Sequence, residues 1–386
     1  MAPRRRYLGV CSSTTGSATC AGWAASRSID RDALLLIAKT DGGHGRLELA
    51  KYSFDEKLLQ DEACVLPCQA APQALAFHPS GDGALCSFAA SCRFVQVEQG
   101  SLSWSPDMDP QRFHGFGEQN KICFSADGSR VAFGGKDGRL RVLDWPGLTT
   151  LIDEPKAHKS IKDLDFSLDG ALLASTSEDG PCRIWDLDKA MPLTSLHREK
   201  AESFGFCRFS RNGSHPFLFV AAFRDGKGYV AVWEIAKWSR LGSKKFLDCE
   251  ISALATSCDG KRLALGGMDG AVSVIEVKSM QKRQYVERAD TCGITLLEMS
   301  PNSRALLSVS ADGNVRVTAT NVPGPWKDWQ VYLLLAGLIA MSAALFYIFF
   351  ELSDSFWRFP LGRNQPARPS MRAIYGSSVD TSMAEG

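Results

Sequence analysis

The chain has almost no excess charge, few histidines and none of the compact motifs that announce chemistry. Among 386 residues, Lys plus Arg number 44 and Asp plus Glu 43. No overall field therefore recruits nucleic acid, which is not an expected partner. The six histidines (His44, His78, His114, His158, His197 and His215) stand at no metal-ligand spacing, so no metal site is expected. Of these, His78 and His158 fall near turns, where a structural hydrogen bond is the expected role. No pair of the twelve cysteines has the Cys-x-x-Cys spacing; Cys64 and Cys68 lack a nearby His to complete a zinc site. Cys86, Cys123, Cys207 and Cys258 sit in apolar, strand-like text, which predicts buried free thiols and a reducing compartment. Gly134-Gly135-Lys136 leads into Asp137 rather than Ser or Thr, so it is no phosphate loop. The Gly-x-Ser-x-Gly nucleophile motif is missing as well. Together these absences point away from conventional catalysis: no catalytic residue and no cofactor are expected. The N-terminal text, basic at Arg4-Arg5-Arg6 but polar from Cys11 to Cys20, contains no apolar stretch of signal-peptide type.

One long apolar run stands out. Residues 331–350 carry no formal charge, and twenty helical residues reach about 30 Å, the thickness of a bilayer's hydrocarbon core. Trp326 and Trp329 flank one end and Phe356 and Trp357 the other, as in an aromatic interface belt. A buried core helix is the bland alternative, but such helices usually carry a polar stripe. A transmembrane helix is therefore expected at 331–350, followed at 351–386 by a short disordered tail rich in Pro, Arg, Gly and Ser. With no signal peptide expected, the N-terminal domain belongs in the cytosol and the tail in the lumen. The basic residues lean the other way: Arg358, Arg363, Arg368 and Arg372 follow the run, against Arg316 and Lys327 before it.

The remaining chain repeats one phrase. It reads FHPSGDGALCS from Phe77, FSADGSRVAFGGKDGRLRVLDW from Phe124 and FSLDGALLASTSEDGPCRIWD from Phe166. It continues as FSRNGSHPFLFVAA from Phe209, TSCDGKRLALGGMDGAVSVIEV from Thr256 and MSPNSRALLSVSADGNVRVTA from Met299. Aligning Gly81, Gly128, Gly170, Gly213, Gly260 and Ser303 gives spacings of 47, 42, 43, 47 and 43. Asp-Gly favours tight hairpins because Gly accepts φ > 0. The expected turns are Asp127-Gly128, Asp137-Gly138, Asp169-Gly170, Asp179-Gly180, Asp259-Gly260, Asp269-Gly270 and Asp312-Gly313. A period of 40–45 residues with four short strands is the mark of a WD-type propeller blade. Six copies are plain. A degenerate seventh is expected in the first 60 residues, from Ala21-Gly22-Trp23, Ala33–Ala38 and Leu47–Phe54. The fold class is thus all-β: a seven-bladed WD-repeat β-propeller over 21–322, after a flexible N-terminus at 1–20, with one C-terminal transmembrane helix. A pair of β-sandwiches would leave the fixed period unexplained.

One loop attracts a functional reading. Lys39-TDGGHGR-Arg46 joins two strands of the first blade, and Gly42, Gly43 and Gly45 are its candidate ion- or partner-binding residues. A plain hairpin tip is the bland alternative.

Three segments carry a family resemblance: residues 151–180 (LIDEPKAHKSIKDLDFSLDGALLASTSEDG), 324–338 (GPWKDWQVYLLLAGL) and 349–369 (FFELSDSFWRFPLGRNQPARP). The chain resembles the plant Sec-twelve-like group over essentially its whole length. That resemblance implies a cytosolic propeller, one span and a short lumenal tail, resident in the endoplasmic reticulum membrane. It further implies nucleotide exchange on the Sar-type small GTPase that starts COPII coat assembly, through a potassium-binding glycine-rich loop in the first blade. Here Ala38-Lys39-Thr40-Asp41 stand where the family's glycine run begins. In this respect the text is similar to the phosphate transporter traffic facilitator branch, which helps phosphate transporters leave the endoplasmic reticulum. The expected function is that trafficking role, without catalysis and with phosphate transporter as cargo. Exchange on the Sar-type GTPase is the alternative, and potassium belongs only to it.

Overall fold

In a computed structural model the described residues are 10–11, 16–24, 32–320 and 328–352, apart from 90, 99, 107, 109, 114, 178–179, 214–215 and 287–288. They fall in two units, 1–322 and 323–386. Asp179, Trp326, Phe356 and Trp357 lie outside the described residues, as does the side chain of Trp329.

The first unit is a ring of seven antiparallel sheets, each of four strands, a to d from the axis outward. Blade 1 comprises Ser17–Ala24, Asp32–Asp41, His44–Ser53 and Leu58–Cys68; blade 2 comprises Ala74–Phe77, Gly83–Ser87, Cys92–Glu98 and Ser101–Trp104. Blade 3 is Gln119–Phe124, Arg130–Gly135, Leu140–Asp144 and Thr150–Glu154; blade 4 is Ile161–Phe166, Leu172–Ser177, Arg183–Asp186 and Met191–Ser195. Blade 5 is Ser203–Phe209, Phe217–Arg224, Lys227–Glu234 and Ser239–Leu247; blade 6 is Ile251–Thr256, Arg262–Gly267, Val272–Glu276 and Gln281–Val286. Blade 7 takes three strands, Ile294–Met299, Ala305–Ser310 and Val315–Ala319, from the end of the ring, and its fourth, Val10–Cys11, from the beginning. Val10 pairs with Val317 and Cys11 with Arg316. The expected flexible N-terminus is corrected here: Val10–Cys11 closes the ring and Ser17–Cys20 begins blade 1. Pairing of the first strand with the last blade removes an open sheet edge.

Burial explains the composition of the strands. The b strands are packed on both faces, so they read as continuous apolar or small-residue text; all of Ala305–Ser310 is buried. The d strands face solvent, and Met191–Ser195 is mostly exposed. Between blades 4 and 5 the inner strands are joined by carboxylates. Asp163 accepts the Cys207 N–H at 3.1 Å and pairs with the Arg208 guanidinium. Asp165 accepts the Phe209 N–H at 2.7 Å and Arg211 Nη2 at 2.8 Å. These backbone donors lie beside a register slip between Phe204 and Cys207, and the acidic side chains supply the acceptors.

The turns follow their spelling. In the a–b turns Ser125, Ser167 and Ser257 each donate their hydroxyl to the Asp two residues on, Asp127, Asp169 and Asp259, at 2.5 Å. The same hydroxyls accept the N–H five residues on, at 2.9–3.0 Å. Bonds from Ser125 and Ser129 hold the Asp127 carboxyl down to about 2. Gly128, Gly170 and Gly260 take φ of 75°, 71° and 66°; Ser303, at the same place in blade 7, takes 58°. In the b–c hairpins Asp137, Asp269 and Asp312 accept the N–H two residues on, at 3.0, 3.0 and 3.4 Å. Gly138, Gly270 and Gly313 there have φ of 82°, 77° and 80°.

The second unit contains the helix Asp328–Leu352. Its window Tyr332–Phe349 has a mean hydropathy of 2.2 and no buried residue. This helix is long and apolar enough to cross a membrane, and its exposure argues against the core-helix alternative.

Candidate functional site

The first-blade loop is a closed hairpin. Strands Asp32–Asp41 and His44–Ser53 pair continuously up to Thr40–Gly45 and Asp41–His44. Only Gly42 and Gly43 remain in the turn, at φ 55° and 94°. Two successive positive φ values define the twist-matched two-residue hairpin that glycine favours. Nothing lies within 4 Å of where a Cβ would stand on either glycine, so their backbone is presented to solvent.

Gly45 belongs elsewhere. It is a strand residue, and a Cβ on it would lie 2.1 Å from the Ala70 carbonyl oxygen. Its lack of a side chain admits the chain leaving strand d, a packing role that local sequence conceals. Lys39 does not project into the loop either. It is 1% exposed and sets its Nζ 2.5 Å from Glu48 Oε2. Arg46 Nε meets the other Glu48 oxygen at 2.5 Å. The Lys39–Glu48–Arg46 cluster thus braces the base of the hairpin, which sequence reasoning missed. The alternation Lys39, Arg46, Glu48 across facing strands was the available signal.

A potassium ion requires several converging oxygens, and this hairpin does not supply them. Thr40 and Asp41 are committed to ladder pairing, and a two-residue turn leaves too few carbonyls to surround a cation. Potassium, which belongs only to the exchange alternative, therefore does not fit these residues. A consequence is measurable: Gly45→Ala should cost about 2–4 kcal/mol through backbone overlap. Gly43→Asn, which tolerates φ > 0, should cost under about 1 kcal/mol. Thermal unfolding of the two variants gives the comparison.

Elsewhere, the histidines and thiols serve structure. His78 Nδ1 lies 2.6 Å from Ser80 Oγ, and Nε2 lies 3.1 Å from the Gly128 carbonyl, linking blades 2 and 3. His158 Nε2 is 2.7 Å from Ser175 Oγ, which also accepts Trp185 Nε1–H at 2.8 Å. This His–Ser–Trp chain, buried at Ser175 and Trp185, ties the entry of blade 4 to its second and third strands. Cys20, Cys86, Cys92, Cys182 and Cys207 are buried free thiols, and burial pushes the Cys20 thiol up to about 12. Cys258 departs from expectation: it is exposed, because it is the second residue of its a–b turn rather than a strand residue.

The WD domain, G-beta repeat family matches residues 149–186, which span the outer strand of blade 3 and the first three strands of blade 4 and include the His–Ser–Trp chain. SEC12-like protein 1 of Arabidopsis thaliana is 43% identical over 312 residues, covering 80% of this chain and 78% of the relative. SEC12-like protein 2 of the same plant is 35% identical, covering 67% of each. At greater distance, the guanine nucleotide-exchange factor SEC12 of Rattus norvegicus is 27% identical, covering 59% of this chain and 60% of the relative. A solved chain from the COPII outer coat vertex on membranes superimposes with a TM-score of 0.67 at 15% identity, covering 81% of this chain and 86% of that one. That likeness is one of fold. The architecture is that of a WD-repeat propeller followed by a helix of membrane-spanning length. The chain belongs to the SEC12-like family.

Proposed function

We propose that this chain serves ER-to-Golgi COPII traffic as a propeller tethered to the endoplasmic reticulum membrane, acting as a nucleotide-exchange factor for a Sar-type small GTPase. Kinship along four-fifths of the chain with SEC12-like protein 1, extending to a rat protein named as an exchange factor, carries the reading. The chemistry asked of it is modest. Exchange needs no nucleophile; it needs a surface that binds the nucleotide-free GTPase more tightly than the nucleotide-bound form, which weakens GDP binding by the same factor. A rigid ring presenting hairpins on one face suits that task. In this reading GDP release from the purified GTPase should accelerate at sub-stoichiometric amounts of the full chain in liposomes. Release at the intrinsic rate would overturn it.

A second reading, export of phosphate transporters without exchange, is favoured by one observation: the closed hairpin at Gly42–Gly43 offers no extended loop to lodge against a GTPase. It predicts intrinsic GDP release, and phosphate transporter retained in the endoplasmic reticulum when this protein is lost while other cargo moves normally.

Both readings place the propeller in the cytosol. Protease added to intact microsomes should digest residues 10–320 and leave a protected C-terminal fragment containing the helix. A protected propeller would reverse the orientation.

A further inference from the structure

An axial cavity of about 450 Å³ lies between the inner strands of the blades. Pro79, Ala126, Leu168, Arg211 and Cys258, the second residues of five a–b turns, are part of its lining. It therefore opens on the face of those turns. The Gly42–Gly43 hairpin is a b–c turn, at the opposite end of the strands, so the cavity is separate from it.

Most charges around the cavity are already matched. Arg208 pairs with Asp163, Arg211 with Asp165 at 2.8 Å, and Lys121 Nζ stands 3.6 Å from Asp163 Oδ1. Glu298, on the inner strand of blade 7, is different. Its Oε2 accepts the Trp23 N–H at 3.2 Å, and among the described residues it makes no ion pair. Leu75 and Phe77 flank it on one side: a Cβ on Gly22 would meet Leu75, Phe77 and Glu298 Oε2 all at 3.0–3.1 Å. Glu298 is half-buried, and a carboxylate partly withdrawn from water without a counter-ion gains more from a cation than a fully exposed one does.

We propose that the cavity receives a Lys or Arg side chain projecting from an extended peptide segment of a partner protein, with Glu298 as its counter-ion. The apolar walls suit the methylene stem of such a side chain. The volume is that of a pocket for one long side chain and its flanking backbone, too small for a folded domain. Lys121 is turned toward Asp163 and Arg208 is held by it, so neither blocks the approach to Glu298. Burial lifts the Glu298 carboxyl to about 7, with the Trp23 N–H, Lys121 and Arg208 pulling down. Of the remaining titratable groups lining the cavity, Asp165 and Arg211 are paired with each other, and desolvation raises the Cys123 and Cys258 thiols, which stay neutral. Binding should therefore follow ionisation of Glu298, strengthening as pH rises through about 7.

The test is calorimetric titration of the full chain in detergent micelles with acetyl-Gly-Arg-Gly-amide. Saturable one-to-one binding is expected at pH 8. At pH 6 it should be about tenfold weaker, as the ionised fraction falls from about nine-tenths to about one-tenth. The citrulline peptide, isosteric but neutral, should bind at least about tenfold more weakly. Glu298→Gln should bind the arginine peptide as weakly and lose the pH dependence, with an unchanged β-type circular dichroism spectrum. Should that variant misfold, Ala255→Leu, which narrows the cavity from blade 6, must weaken binding instead. Undiminished binding by Glu298→Gln, no binding by the parent up to about 10 mM, or methylguanidinium binding as tightly as the peptide would each sink the proposal.

Discussion

Gly138→Val should destabilise the propeller by about 3–5 kcal/mol, enough to unfold much of the population near physiological temperature. Two independent effects meet at this residue. Its φ is 82°, a region that a β-branched side chain enters only under strain. A Cβ would also lie 1.9 Å from the His158 carbonyl oxygen and 2.6 Å from its carbonyl carbon. Those atoms belong to the segment leading into blade 4, where the His158 N–H donates to the Gly138 carbonyl at 3.0 Å. Neither side can yield without separating two blades. Gly180, at the matching position of blade 4, would meet no backbone, only the Ser177 side chain at 3.3 Å and His158 Nδ1 at 3.5 Å; Gly180→Ala should cost about 1 kcal/mol or less. Gly147, with nothing within 4 Å, is the neutral control. Thermal unfolding of the three variants orders them. Equal melting temperatures would show that the blade 3–4 contact is not as described.

The contrast between Gly138 and Gly180 shows how much the sequence could tell. Turn chemistry is local, so Ser-x-Asp-Gly and its relatives marked the repeat, and Asn302-Ser303 could be aligned with glycine-bearing turns before its φ of 58° was known. The lengths of the blades followed from that register. What joins them did not. Val10 finds Val317, and Glu298 finds the Trp23 N–H 275 residues away, because a ring brings its two ends together. No local pattern records that closure. Gly45 was legible as a glycine near a turn but not as a gap for Ala70. Asp163 and Asp165 were better signposted: two acids at i and i+2 on one inner strand share one face, and burying them requires donors. Cys258 misled for a related reason, since the apolar text around it belongs to the flanking strands and the residue itself to a turn.

Acid sensitivity provides the second large effect, with two groups acting in opposite directions. His158 is held neutral: burial and then Arg183 press its imidazole down to about 4, against an ordinary 6.5. Ser175 Oγ accepts Trp185 Nε1–H and lies 2.7 Å from His158 Nε2, which fixes the ring between the two strands. Between pH 6.5 and 4 the unfolded chain binds the proton more readily, so this group's contribution is present above 6.5 and lost as pH falls toward 4. At 1.36 kcal/mol per pH unit the full effect is about 3 kcal/mol. Glu298 runs the other way. Its carboxyl is raised from 4.5 to about 7, so its contribution is present below 4.5 and lost as pH rises through 7. The nominal size is similar, but Glu298 faces the cavity and solvent screening reduces it, to about 1–2 kcal/mol. His158 should therefore win narrowly, and the parent should lose about 1 kcal/mol or less between pH 7 and 5. Removing each group separates them. His158→Gln keeps an acceptor for Ser175 without a titrating ring, and its stability should rise or stay level over the same interval. Glu298→Gln should steepen the parent's loss toward about 2 kcal/mol, the part of the His158 effect that falls between pH 7 and 5. Denaturant midpoints of the full chain in detergent at pH 5, 6 and 7 provide the measurement. A parent and a His158→Gln variant with the same pH slope would show that His158 is not the proton acceptor that acid unfolding must fill.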